Sequence, residues 1–330
     1  MNAFYSILFC LCLGSLTQLQ ATTASSSLFD YWTANNVTEV KLYIDLQELE
    51  SKRRSTESIT ATLFDGSKEF KIRAEVRGRF RRRACTMPPL KLHFDKAGLK
   101  QFGLNKHNDF KLVTHCTDNA AGQDAILREK LAYDLYQTIA PEASYRTRLL
   151  RVTYIDVNTQ AATTSLAILI EDNDELKHRM NGKFCKECYN LPQQQINNLE
   201  QVALFQYMIG NSDYSFTMTR NTKLVEAYPG NYTAVPYDFD FSGLVDASYA
   251  VPNLNVGQQS IKQRVWQWEY TSTPDLSAAK QLFLDKQHQL LAQVEGFTEL
   301  SSRSKREISK YLQGFFRDLQ SNKITGQSAR

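Results

Sequence analysis

Four polar residues in the second half of this 330-residue chain can do chemistry together: Asp213, Asn221, Asp238 and Asp240. Phosphoryl transfer from a nucleotide needs carboxylates that hold Mg, a carboxylate that orients the attacking hydroxyl and accepts its proton, and cations on the phosphates. Asp213 closes the polar run Gly210-Asn211-Ser212, and Asn221 follows in the same loop region. Then come a strand, a turn, a strand and the segment Asp238-Phe239-Asp240-Phe241-Ser242-Gly243. Two acids flanking Phe239 are costly to bury without a cation, so the spacing predicts a Mg-dependent phosphoryl-transfer site. The bland readings are a turn aspartate at 213, a loop amide at 221 and a solvated hairpin end at 238 and 240.

Cations for the phosphates are supplied by Val76-Arg77-Gly78-Arg79-Phe80-Arg81-Arg82-Arg83. Read as a strand, its period of two puts Arg77, Arg79, Arg81 and Arg83 on one face, where guanidiniums form a polyanion clamp. Gly78 leaves room for close backbone approach, and no Gly-rich phosphate loop of the Walker or usual kinase kind occurs elsewhere. A solvated or heparin-like patch is the competing reading. His93, His107, His115, His178 and His288 are scattered without metal spacing, and no Gly-x-Ser-x-Gly elbow is present.

The elements that must position these groups are legible in part. Residues from Val40 to Phe94 alternate apolar and polar, with Asp65-Gly66 between two strand patterns as a hairpin turn and Leu90 to Phe94 as a further strand. Gln123 to Ala140 places Leu127, Leu131, Leu135 and Ile139 on one helical stripe that stops at Pro141. Leu149 to Ile155 and Thr164 to Ile170 read as two strands. Gln193 to Ile209 reads as a helix ending at Gly210, followed by a short strand at Lys223 to Val225, a Pro229-Gly230-Asn231 turn and a strand through Ala234-Val235. Two helical patterns fill the chain beyond Leu276.

Residues 1–24 read as a secretory signal, with an apolar run from Phe4 to Leu16, no acidic residue and cleavage after Ala21 or Ala24. Export predicts a secreted or periplasmic protein without a transmembrane segment in its mature form. A net charge of +4 gives no global case for a nucleic-acid partner. Cys85, Cys116, Cys185 and Cys188 survive processing, an even number that favours disulfides, with Cys85–Cys116 and Cys185–Cys188 preferred over a zinc site at the single Cys-x-x-Cys pair.

Protein kinases place a catalytic Asp, a metal-binding Asn, a hairpin and a metal-binding Asp-Phe-Gly in the order seen here. More closely, Ile209-Gly-Asn-Ser-Asp, Arg220-Asn221 and Val235-Pro-Tyr-Asp-Phe-Asp resemble the spore-coat CotH family of atypical secreted kinases. So do Glu75-Val-Arg-Gly-Arg, Pro89-Leu-Lys-Leu-His-Phe and Leu127-Arg-Glu-Lys-Leu-Ala-Tyr. The resemblance implies an α+β, two-lobed protein-kinase-like fold: a strand-rich lobe over about 28–190 with one long helix, and a helical lobe over about 191–330 carrying the acidic site. It implies ATP with Mg or Mn as cofactor and a protein or other hydroxyl acceptor. By position, Asp213 is the catalytic base, Asn221, Asp238 and Asp240 lie at the metal, and Lys91 contacts phosphate with Glu129 as its helix partner, beside Arg77 and Arg79. The alternative is a non-catalytic kinase-fold or polyanion-binding surface protein.

Overall fold

Inward-facing apolar residues repeat every second position from Val40 to Leu169, and the strands that carry them close on themselves. A computed structural model describes residues 25–321 together with 323 and 324; the segment read as an export signal, 1–24, lies outside the described residues. Helix α1 (Leu28–Ala34) begins at a Ser27 capping box, and its Trp32 plugs the apolar interior while donating from Nε1 to Asp65 Oδ2 at 3.0 Å. Strand β1 (Glu39–Ile44), the short helix α2 (Leu46–Ser51) and the hairpin β2 (Ser58–Phe64) and β3 (Glu69–Val76) follow. The expected turn is there, with Gly66 at φ +93°. Next come a helical turn α3 (Arg81–Ala84), β4 (Leu90–Phe94), α4 (Lys96–Gln101), β5 (Asp109–Thr114), the long helix α5 (Ala120–Ile139) and a second hairpin, β6 (Thr147–Asp156) with β7 (Ala162–Ile170).

The two-lobed kinase-like fold implied by the resemblance is not what the chain forms. β5 pairs with β7, β7 with β6, and β6 runs parallel to β1, with Glu39 opposite Arg151, so seven strands make a closed barrel in the order β1-β2-β3-β4-β5-β7-β6. Closure removes both sheet edges that an open lobe would leave. From Ser165 on, β7 is buried on both faces: Ala167 and Leu169 point into the barrel, while Leu166, Ile168 and Ile170 join a second apolar core. That is why the stretch from Leu166 to Ile170 is an unbroken apolar run rather than an alternation.

The second core is built by α5 with α6 (Asn173–Arg179), β8 (Lys183–Phe184), α7 (Leu199–Ile209), the hairpin β9 (Thr222–Tyr228) and β10 (Asn231–Pro236), and helices α8 (Ser277–Gly296) and α9 (Ser302–Gln320). α5 packs on α8 on one side and on β6 and β7 on the other. The fold brings Cys85 to Cys116 and Cys185 to Cys188, each pair in bonding position. No helix among the described residues is long and apolar enough to cross a membrane.

Candidate functional site

The acidic residues singled out in the sequence are held by three local devices. Helix α7 ends at Gly210, whose φ of +67° is a left-handed C-cap and whose missing Cβ leaves space for the Tyr311 hydroxyl. Immediately after it, Asn211 Oδ1 accepts from Asp213 N at 2.9 Å and fixes the loop. Ser215 and Arg220 exchange backbone hydrogen bonds, which returns the chain to Asn221. Asn221 Nδ2 donates to the Asp213 carbonyl at 2.6 Å and to Asp213 Oδ2 at 3.0 Å. The β9–β10 hairpin then brings Tyr237 N onto Asn221 O at 3.0 Å, which sets Asp238 next to that contact.

Phe239 anchors the two aspartates that flank it. Its ring is fully buried against Tyr133 and Phe205, with centroids at 4.8 and 5.5 Å, which holds the Asp-Phe-Asp segment in place. Tyr133 also accepts from Asp238 N through its hydroxyl oxygen at 2.9 Å. Both Asn221 and Asp238 have left-handed backbones, with φ of +50° and +64°. Non-glycine residues adopt that region at a cost, and Asn and Asp bear it best.

The charge of Asp240 raises the proton affinity of both Asp213 and Asp238, and Asp213 adds to the effect on Asp238. Burial, with Asp240 next, pushes Asp238 up to about 6 against the pull of Arg81 and Arg77. Burial also raises Asp213, opposed by Arg220, whose Nε lies 3.5 Å from Asp213 Oδ1. Asp240 is engaged: its Oδ2 accepts from Arg81 Nε at 2.8 Å and from the Tyr249 hydroxyl at 3.0 Å. Arg81 also reaches Glu129 Oε2 through Nη2 at 2.5 Å. Burial, the largest cause, pushes Glu129 up to about 7; Arg81 opposes this, and Asp240 and Asp238 add to it.

Three expectations for the cations are corrected. Arg77, Arg79, Arg81 and Arg83 do not share a strand face, because β3 ends at Val76, Gly78 turns at φ +85° and Arg81–Ala84 coil into a helical turn. Arg77 and Arg81 serve the site, whereas Arg79 and Arg83 are exposed, Arg79 at its rim within electrostatic reach of Tyr237. Glu129 pairs with Arg81 and not with Lys91. Lys91 binds Asp109 Oδ2 at 3.0 Å and touches none of the acidic residues of the site.

The lysine that reaches the acidic cluster is Lys111, the cross-strand partner of Lys91 on β5. Its Nζ donates to Asn173 Oδ1 at 2.6 Å, stands 4.5 Å from the Tyr145 ring centre and 5.7 Å from that of Tyr237, and feels the charge of Asp238. Burial, with Arg77 and Lys223 next, holds Lys111 down to about 7. Lys223 also lies by Tyr237, its Nζ 5.6 Å from the ring centre, and is lowered by burial and by Arg77. None of Arg77, Lys111 and Lys223 has a carboxylate oxygen within 4.0 Å among the described residues. Lys111 and Lys223 carried a sequence signal only in their alternation with apolar neighbours, Phe110 and Leu112 in one case and Leu224 in the other.

Among the described residues no three His, Cys, Asp or Glu side chains form a ready metal cage. The Asp238 carboxylate accepts no hydrogen bond from the described residues, and Asn221 spends its amide nitrogen on Asp213, leaving Oδ1 as an acceptor toward a cation. No protein-family model matches this chain, and none of the curated proteins does.

Proposed function

We propose that this protein is an exported phosphotransferase that moves a phosphoryl group from a nucleotide–Mg complex to a hydroxyl acceptor. One observation carries the reading: the carboxylates of Asp213, Asp238 and Asp240, with the Asn221 amide on Asp213, adjoin three cations, Arg77, Lys111 and Lys223, that have no carboxylate partner among the described residues. Buried or half-buried cations without counter-ions fit a site completed by an anion, and carboxylates raised by burial and mutual repulsion fit one completed by a cation. A nucleotide–metal complex brings both. The order of motifs that resembles the CotH family supports the same chemistry on a different barrel architecture.

In this reading Asp238, with Asn221, holds the cation, which neutralises charge on the phosphates when bound. Arg77, Lys111 and Lys223 take the phosphate oxygens. Asp213, fixed by Asn221, orients the acceptor hydroxyl and takes its proton while the oxygen bonds to the terminal phosphorus. The bridging bond to the leaving nucleoside diphosphate breaks in the same step. Arg81, Glu129 and Tyr249 position Asp240 from behind.

The test is transfer of labelled terminal phosphate from ATP to protein or small hydroxyl acceptors, compared between wild type and Asp213→Asn. Loss of about two to four orders of magnitude in turnover with nucleotide binding retained is the expected result for a general base. A second reading, an anion-binding protein without catalysis, draws on the same three cations. It predicts anion binding that Asp213→Asn leaves unchanged and no turnover to lose.

A further inference from the structure

The turn that sends Arg77 and Arg81 into the site presents other arginines outward. Arg79 and Arg83, with Arg54 beyond α2, are exposed and have no carboxylate within 4.0 Å among the described residues. They border two adjoining hollows, of about 900 and 480 Å³, that share Arg83 and Ala84. Arg82 lines the larger of them, its Nη2 on the Val76 carbonyl at 2.7 Å and its buried Nε without a partner among the described residues.

This surface is built rather than loose. Arg53 donates to the carbonyls of Arg82, Cys85 and Thr86 at 3.1, 2.8 and 2.9 Å, and Cys85 lies against Cys116, so the turn is held from below. Phe80 stands among the arginines with 46% of its surface exposed. Its ring rests on Phe241 and Tyr249, with centroids at 5.6 and 5.4 Å, and the Tyr249 hydroxyl donates to Asp240. An apolar step thus joins the basic hollows to the acidic site.

We propose that this face docks an acidic segment of a protein, with carboxylates on Arg79 and Arg83 and an apolar side chain on Phe80. Guanidinium forks match carboxylates in paired hydrogen bonds, and an exposed aromatic ring between them favours a peptide over a uniformly charged polymer. A segment held there reaches the acidic site past Phe80 and Tyr249, which makes it the acceptor class. That last step rests on the phosphotransfer reading; the docking does not.

The experiment is fluorescence anisotropy with a labelled peptide of Asp and Glu containing one Leu and one Ser, titrated with the whole protein. Wild type and Asp213→Asn bind alike, Arg79→Ala/Arg83→Ala weakens binding about tenfold or more, and Phe80→Ala or replacement of the peptide Leu by Ser weakens it several-fold, with unchanged circular dichroism. Absence of binding, or an affinity indifferent to the paired arginine change, overturns the proposal. Equal binding of the Leu-containing and Leu-less peptides to wild type, with Phe80→Ala binding the Leu-containing peptide as tightly as wild type does, overturns it too, in favour of a charge-only surface for anionic polymers. Peptide that binds as expected but receives no phosphate from ATP–Mg leaves the docking standing and counts against phosphotransfer.

Discussion

Arg81 Nε stands 2.8 Å from Asp240 Oδ2 while Nη2 of the same guanidinium stands 2.5 Å from Glu129 Oε2, and all three side chains are buried. One positive charge therefore fastens the helical turn after β3 to α5 and to the Asp-Phe-Asp segment. Arg81→Met leaves two buried carboxylates without a counter-charge and destabilises the protein by about 3–5 kcal/mol. Combining it with Glu129→Gln and Asp240→Asn restores most of that loss. Urea unfolding of the single and triple variants measures both; equal stability of Arg81→Met and wild type contradicts the bridging role.

Asn221 combines a left-handed backbone with two hydrogen bonds to Asp213, and its variants separate the two. Asn221→Gly relieves the backbone but drops the contacts, whereas Asn221→Ala drops the contacts and keeps the strain. The alanine variant is expected to be less stable than the glycine variant by about 1 kcal/mol. Both lose cation affinity to a similar degree. Thermal unfolding and Mg titration of the two proteins provide the comparison, and an alanine variant as stable as the glycine one removes the backbone argument.

The raised and lowered groups give the site a pH signature. Asp238, pushed up to about 6, and Glu129, pushed up to about 7, hold protons that the unfolded chain would have released. Their contribution to stability is therefore present below the ordinary carboxylate range and is lost as pH rises through about 6 and 7. A divalent cation competes with the Asp238 proton, so its affinity rises as pH passes up through about 6. Lys111, held down to about 7, loses its positive charge as pH rises through that value, so phosphate affinity falls above it. Nucleotide–Mg binding accordingly follows a bell between these limits, and Lys111→Met lowers its peak and removes the alkaline limb. Binding isotherms across pH 5 to 9, a range of about four units around those values, test the shape. A profile flat across both limits contradicts it.

The acidic half of the site was legible because its geometry is local. A glycine cap at Gly210, a short loop to Asn221 and a tight hairpin through Gly230 bring Asp213, Asn221 and Asp238 together, with Tyr133 of α5 as the distant residue that holds Asp238 N. The barrel was not legible, since its closure depends on the parallel pairing of β1 with β6, Glu39 against Arg151, and no local pattern marks a contact so distant in sequence. Lys91 and Lys111 look alike in alternating strands and face the same side as cross-strand partners. Only the placement of Asp238 and Tyr237 against β5 decides which one serves the site. The arginine run misled for a different reason: Gly78 and the helical turn at Arg81 break the period of two that a strand reading assumes.

Calorimetric titration of the purified protein with ATP and Mg, alongside Asp238→Ala, tests the central claim most directly. Saturable Mg-dependent binding to wild type, lost in Asp238→Ala while the variant keeps its fold, is the predicted result. Nucleotide heat that is absent in wild type, or that persists unchanged in Asp238→Ala, contradicts a cation-bridged nucleotide at this site.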